Sequence, residues 1–223
     1  MKPFKDRNQA GALLAERLAA LGYDRQPNLL VFGLPRGGVP VAFQVARRLG
    51  APLDVWVVRK LGTPGHEELA MGAIASGGGR VLNQEIVDSL QVSADTLAAV
   101  EQQQWAELQR RERLYRGNRP FPDLKGKTVL LVDDGLATGA TMKAAIAAAR
   151  QHHPARLVVA VPVAPPDTVA EIQALVDEVV CLETPAFFQA VGLWYEHFPQ
   201  ISDEEVLALL QAASARPGPS GAG

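Results

Sequence analysis

Cysteine is almost missing from this chain: 223 residues hold one, Cys181. An intramolecular disulfide and any multi-cysteine metal site are thereby excluded. Charge of either sign is not in surplus, since 22 Lys and Arg stand against 24 Asp and Glu, for a net charge of −2. No basic excess points to nucleic acid, and no acidic tail is present. Apolar runs stop well short of the roughly 20 residues that span a bilayer. The first residues, Met1-Lys2-Pro3-Phe4-Lys5-Asp6, lack the apolar core of a signal peptide, so a cytoplasmic location is expected. No repeat of about 20–50 residues is visible. What remains is ordinary globular material, 48% hydrophobic and 21% charged.

The patterning predicts an α/β chain. Ala10, Leu14, Leu18 and Leu21 share a helical face over 8–21, and Gly22 terminates it. Leu29-Leu30-Val31-Phe32 is a continuous apolar run, as in a strand covered on both faces. It breaks at Gly33-Leu34-Pro35-Arg36-Gly37-Gly38, and a helix is expected from Pro40 to Leu49, stopped by Gly50. A strand over Leu53–Val58 completes a βαβ opening and implies a parallel sheet. From Leu61 to Arg80 periodicity fades into glycine, which suggests a long functional loop. Residues 93–116 predict one long polar helix with Ser93 as N-cap. The alternation then resumes with strands at Thr128–Val132, Leu157–Val163 and Val179–Leu182, and helices over 141–152 and 167–175. Ser202-Asp203-Glu204-Glu205 reads as a capping box opening a last helix, and 214–223 as a disordered tail.

Chemistry concentrates in Val129-Leu130-Leu131-Val132-Asp133-Asp134-Gly135-Leu136-Ala137-Thr138-Gly139-Ala140-Thr141. A buried strand here delivers two adjacent carboxylates to its carboxyl end, where open parallel sheets bind ligands. The small-residue turn that follows offers backbone N–H groups and hydroxyls at a helix N-terminus, a phosphate cradle. Two acids beside such a cradle suit the hydroxyls of the same ligand, or a hydrated Mg²⁺. A sugar phosphate satisfies both halves.

This segment resembles the 5-phosphoribosyl-1-pyrophosphate (PRPP) motif of type I phosphoribosyltransferases. The resemblance implies a single α/β domain over 1–213, with a mainly parallel central sheet flanked by helices. It implies that Asp133 and Asp134 hold the ribose hydroxyls, and that Ala137, Thr138, Gly139, Ala140 and Thr141 hold the 5-phosphate. Mg²⁺ is the implied cofactor, held near Asp133 and Asp134 through PRPP and water and not by a direct protein site. Arg36, Gly37 and Gly38 fall where the family carries its pyrophosphate loop. Bare glycine amides can close around phosphate oxygens, and Arg36 adds a bidentate donor. Arg59 and Lys60 precede the segment 61–80, which corresponds to the family's mobile lid, and would offset charge on the departing pyrophosphate. The aromatic stretch in 183–200, with Phe187, Trp194 and Tyr195, falls where members build a hood over the acceptor base. Pro35-Arg36-Gly37-Gly38, Arg59-Lys60-Leu61-Gly62 and Trp194-Tyr195 are also similar to a sub-group of phosphoribosyltransferases with no assigned substrate.

The expected activity is therefore Mg²⁺-dependent transfer of the phosphoribosyl group to a nitrogen acceptor, a nucleobase first among them, with release of pyrophosphate. The expected partners are PRPP and that small acceptor, with no nucleic acid and no membrane. Members are often dimers, and the 93–116 helix offers a surface for a homodimer. One departure narrows the acceptor: Ala137 stands where some purine-specific members carry an Asp that exchanges a proton with the base. The alternative is a non-catalytic sensor of PRPP or a nucleotide on the same fold. Arg110, Arg111, Arg113, Arg116 and Arg119 could serve such a regulator, but read more simply as a solvated helix face. Cys181, in an expected buried strand, is not a nucleophile candidate, and His66 is expected at the surface. A dinucleotide-dependent dehydrogenase is excluded by the lack of a Gly-x-Gly-x-x-Gly turn after the first strand.

Overall fold

A helix leads into the first strand. In the computed structural model, which describes residues 2–215, α1 (Arg7–Ala20) is N-capped by Asp6, whose side chain accepts from the Gln9 amide. β1 (Leu29–Gly33) runs into α2 (Gly38–Leu49), closed by Gly50 at φ 66°, and β2 (Leu53–Val55) follows. Next come β3 (Val58–Thr63), β4 (His66–Ala75) and β5 (Gly79–Leu82), then α3 (Gln84–Ser89) and α4 (Ala94–Arg116). The second half alternates: β6 (Thr128–Val132), α5 (Ala140–Arg150), β7 (Arg156–Val163), α6 (Pro166–Gln173), β8 (Glu178–Glu183) and α7 (Asp203–Ser214). Of the tail expected over 214–223, residues 216–223 lie outside the described residues.

Five strands form one parallel sheet in the order β2-β1-β6-β7-β8. The expected α/β class with a parallel central sheet is what the chain adopts. Every residue of β6 is buried, which only a strand covered on both faces allows. Leu130 and Val132 pack with Leu14 and Leu18 of α1, Val41 and Val45 of α2, and Val206 and Leu210 of α7. Val129 and Leu131 face the opposite way, toward Met142 and Ile146 of α5 and Ile172 of α6. Burial of each such side chain contributes about 1.5–3 kcal/mol. Register then sets the functional end. Gly33 of β1 lies level with Val132 of β6, so the loops after these two strands emerge side by side.

Two expectations are corrected. The strand foreseen over Leu53–Val58 ends at Val55, and Val58 begins a different sheet. The segment 61–80, foreseen as an aperiodic loop, folds into antiparallel strands in the order β3-β4-β5. Its period-two pattern is scrambled by register shifts at Leu61/Gly62 and Gly62/Thr63. Glycines also stand where side chains would collide, as at Gly72 opposite the Val81 carbonyl. This small sheet leans on α5 and on α4, which Ser93 caps as expected by accepting from the Thr96 amide. The capping box at Ser202 and Glu205 also forms, with both reciprocal bonds. Among the described residues, no helix is long and apolar enough to cross a membrane.

Candidate active site

Asp133 and Asp134 leave the carboxyl end of β6, half-buried, and each is held. The Asp134 amide donates to Asp133 Oδ1 at 2.8 Å. Arg7 Nε donates to Asp134 Oδ2 at 2.9 Å, its Nη1 donates to the Pro199 carbonyl at 2.6 Å, and its guanidinium lies 3.8 Å above the Phe198 ring. The Tyr195 hydroxyl donates to the Asp134 carbonyl at 2.5 Å. Burial, and then the neighbouring Asp134 charge, push the Asp133 carboxyl well above the ordinary carboxylate range. Two hard oxygen donors in that state fit a divalent cation or sugar hydroxyls, either of which relieves their mutual repulsion.

The turn beyond the acids runs through Ala137 and Thr138, both exposed, to Gly139. Gly139 adopts φ 71° at the N-cap of α5, and a Cβ there would sit 2.9 Å from Thr168 Cγ2. Glycine thus supplies both the left-handed turn and the close approach of α6. Thr168 also donates its hydroxyl to the Ala137 carbonyl at 2.6 Å, fixing the turn from behind. Ala140 and Thr141 begin α5, and the Ala140 amide donates to Thr138 Oγ1 at 3.4 Å.

The loop after β1 meets this turn. A Cβ on Gly38 would lie 2.8 Å from the Val132 carbonyl oxygen and 3.0 Å from Asp133 Cα, and one on Gly37 would run into the Asp134 carboxylate. The Leu34 amide donates to the Val132 carbonyl at 2.9 Å, tying the loop to the end of β6. The Pro35–Arg36 peptide is cis. Arg36 is exposed, with Nη1 3.9 Å from Asp203 Oδ1 at the start of α7.

Arg59 and Lys60 lie on β3, in the antiparallel sheet. Arg59 is half-buried and donates from Nε to Gln104 Oε1 of α4 at 3.0 Å, while Lys60 is exposed. The aromatic residues divide. Phe187 is 93% exposed. Trp194 is half-buried and stacks on Phe188 at 6.3 Å. Tyr195 corrects the expectation of an open stacking face. Its ring packs between Phe4 at 5.6 Å and Phe198 at 4.9 Å, and its hydroxyl is spent on the acid pair's backbone. It braces the site and is not a platform within it.

Residues 73–196, more than half of the chain, match the model of the phosphoribosyl transferase domain. The chain belongs to that family. Two proteins of Mycobacterium tuberculosis, MT0597 of strain CDC 1551 / Oshkosh and Rv0571c of strain ATCC 25618 / H37Rv, are each 53% identical to it over 213 residues. Their names give phosphoribosyl transferase as a provisional assignment. The match covers 96% of this chain and 47% of each relative, so the chain spans about half their length. The crystal structure of TT1426 from Thermus thermophilus is 47% identical with a TM-score of 0.82, covering 95% of this chain and 99% of that one.

The structure also brings to the candidate site residues that sequence reasoning passes over. Arg7 is the foremost: it is only 7% exposed, yet charged. Its signal is its spacing, because Arg7 continues the buried stripe of Ala10, Leu14 and Leu18 by one turn. Thr168 and Asp203 carry no comparable signal, since each reaches the site only once distant elements have packed.

Proposed function

We propose that this chain transfers the 5-phosphoribosyl group of PRPP to a nitrogen of a small acceptor, releasing pyrophosphate. The observation that carries the reading is the contact of Gly37 and Gly38 with the Asp133–Asp134 pair. A glycine loop and a phosphate-cradling turn, each following a parallel strand, converge on one acid pair, as a ligand with phosphates at both ends of a sugar requires. In this reading Asp133 and Asp134 take the ribose hydroxyls, and the turn from Ala137 to Thr141 takes the 5-phosphate. Arg36, Gly37 and Gly38 take the pyrophosphate, with Arg59 and Lys60 adding positive charge beside it. Asp133 and Asp134 would hold Mg²⁺ indirectly, through PRPP and water, and the ion would supply positive charge to offset that of the leaving pyrophosphate.

The chain's own residues position and screen. As the bond from C1 to the pyrophosphate oxygen breaks, its electron pair leaves with pyrophosphate. The acceptor nitrogen forms the new bond to C1 and sheds its proton to solvent, because Ala137 offers no base at the motif. Arg7 and Tyr195 keep the acids facing the sugar throughout. Trp194, stacked on Phe188, is the aromatic surface this reading assigns to the acceptor. A cytoplasmic location and a homodimer complete it.

Phosphorus NMR of PRPP with Mg²⁺, the protein and a panel of nucleobases and simple amines tests the proposal. Base-dependent appearance of pyrophosphate supports it, and dropping panel members one at a time names the acceptor. Broadened but intact PRPP signals would replace transfer with sensing. The double substitution Asp133→Asn, Asp134→Asn is expected to abolish Mg²⁺-dependent PRPP binding in a folded chain. Unchanged PRPP affinity in that variant would overturn the site.

A further inference from the structure

The arginines of α4 do not form one solvated face. Arg116 is 6% exposed and inward, its guanidinium on Asp54 at 3.1 Å and on the Val55 carbonyl at 3.1 Å. Arg111, half-buried, lies on a second stripe of the same helix. Gln104, Leu108, Arg111 and Tyr115 recur at three- and four-residue spacing, and Leu108 and Tyr115 are 1% and 3% exposed. The two ends of that stripe are tied to the candidate site. Gln104 accepts from Arg59, and the Tyr115 hydroxyl donates at 2.5 Å to the same Asp203 oxygen that faces Arg36. Arg111 stands between them.

Three guanidinium groups, those of Arg36, Arg110 and Arg111, thus share two carboxylates, Asp203 and Glu107, and Arg59 pairs with neither. Glu107 is shared: Arg110 grips it with two bonds at 2.8 Å, and Arg111 Nε reaches it at 3.0 Å. The hydrogen bond of Arg59 goes to a neutral amide oxygen, not to a carboxylate. Arg59 and Arg111 are both anchored on α4, through Gln104 and Glu107, and burial, then the Arg111 charge, lower the Arg59 guanidinium. Unbalanced guanidinium groups converging beside a glycine loop call for a polyanion.

We propose that Arg111 of α4, with Arg59, forms the outer wall of the pyrophosphate subsite, and that Glu107 holds Arg111 in place until pyrophosphate displaces it. This rests on the phosphoribosyl-transfer reading and gives the long helix a part in the site. It has a consequence that a purely structural network lacks. Removing the charge of Glu107 frees Arg111 for the ligand, so pyrophosphate should bind more tightly to that variant.

Calorimetric titration of the full chain with pyrophosphate and with PRPP, both with Mg²⁺, tests this. Arg111→Gln is expected to weaken pyrophosphate binding about 10- to 100-fold, the loss of a charged hydrogen-bond partner. Glu107→Gln is expected to strengthen it about threefold or more. Thermal unfolding midpoints of both variants report whether the helix is intact. Unchanged pyrophosphate affinity in Arg111→Gln, with a clear loss in Arg36→Gln, overturns the inference and leaves the transferase reading standing. Weaker pyrophosphate binding in Glu107→Gln also overturns it, by making the network a scaffold. Wild-type protein that binds neither PRPP nor pyrophosphate overturns the transferase reading itself.

Discussion

The two sheets of this molecule hold the candidate site by different means. In the parallel sheet β6 is buried at all five positions, and β1 at all but Leu30. Side chains on both faces lock these strands, and through them the acid pair and the glycine loop. In the antiparallel sheet β3 is mixed, with Arg59 half-buried, Lys60 exposed and Leu61 fully buried. Its placement against α5 rests on a missing side chain at Gly79, where an added Cβ would strike Ala148. One sheet is fixed by what fills its flanks, the other by what is left out. In the proposed reading the acid pair and the glycine loop with Arg36 sit on the first, and Arg59 and Lys60 sit on the second.

The sharpest way to break this comparison is to empty the flank of the parallel sheet. Leu131 is fully buried in β6, two residues before Asp133. Leu131→Ala is expected to cost about 2–5 kcal/mol, read as a lower urea midpoint with an unchanged slope. A cost under about 1 kcal/mol would mean that β6 is not the rigid member. The edge strand β8 gives a gentler probe of the same sheet. Cys181 donates from Sγ to the Glu183 carbonyl at 3.2 Å, and burial pushes its thiol up to about 11. A raised pKa keeps the thiol neutral, so at pH 8 alkylation should run on the order of a hundredfold slower than for an ordinary thiol. The rate should keep rising as pH climbs toward 11, and denaturant should abolish the protection. Fast alkylation of folded protein at pH 8 would show that the covering fails at the edge.

The same contrast explains what can be read in advance. Leu29-Leu30-Val31-Phe32 and Thr128–Val132 announce covered strands because burial on both faces leaves no polar position, and the acids after Val132 mark the ligand end. The antiparallel strands stay hidden because bulges and glycines erase alternation, as at Gly62 and Gly72. Tyr195 reads in sequence as a platform for a base because an aromatic residue gives the same signal whether its face is open or packed. Only the rings of Phe4 and Phe198 on either side decide between the two. Arg111 is indistinguishable in sequence from its exposed neighbours because helix phase sets a direction, and only the buried Leu108 and Tyr115 show which direction is inward.

The smaller sheet is tested most directly at Gly79 itself. Gly79 has φ −63°, which any residue adopts, so replacement there introduces no backbone strain and probes space alone. The obstacle is backbone as well as side chain: Ala148 Cα would lie 2.8 Å from the new Cβ, and Ala148 is fully buried on α5. Since α5 is itself packed on β6 and β7, the antiparallel sheet is the body that must shift. Gly79→Ala is therefore expected to cost about 1–3 kcal/mol, less than emptying β6, and to weaken pyrophosphate binding because Arg59 moves with its sheet. Ala148→Gly alone costs about 1 kcal/mol of helix propensity, yet in the Gly79→Ala background it should restore part of the loss. The coupling in that double-mutant cycle measures the docking contact free of either single effect. Additive costs would mean that the two sheets are joined elsewhere and that the contact of Gly79 with Ala148 does not set their docking.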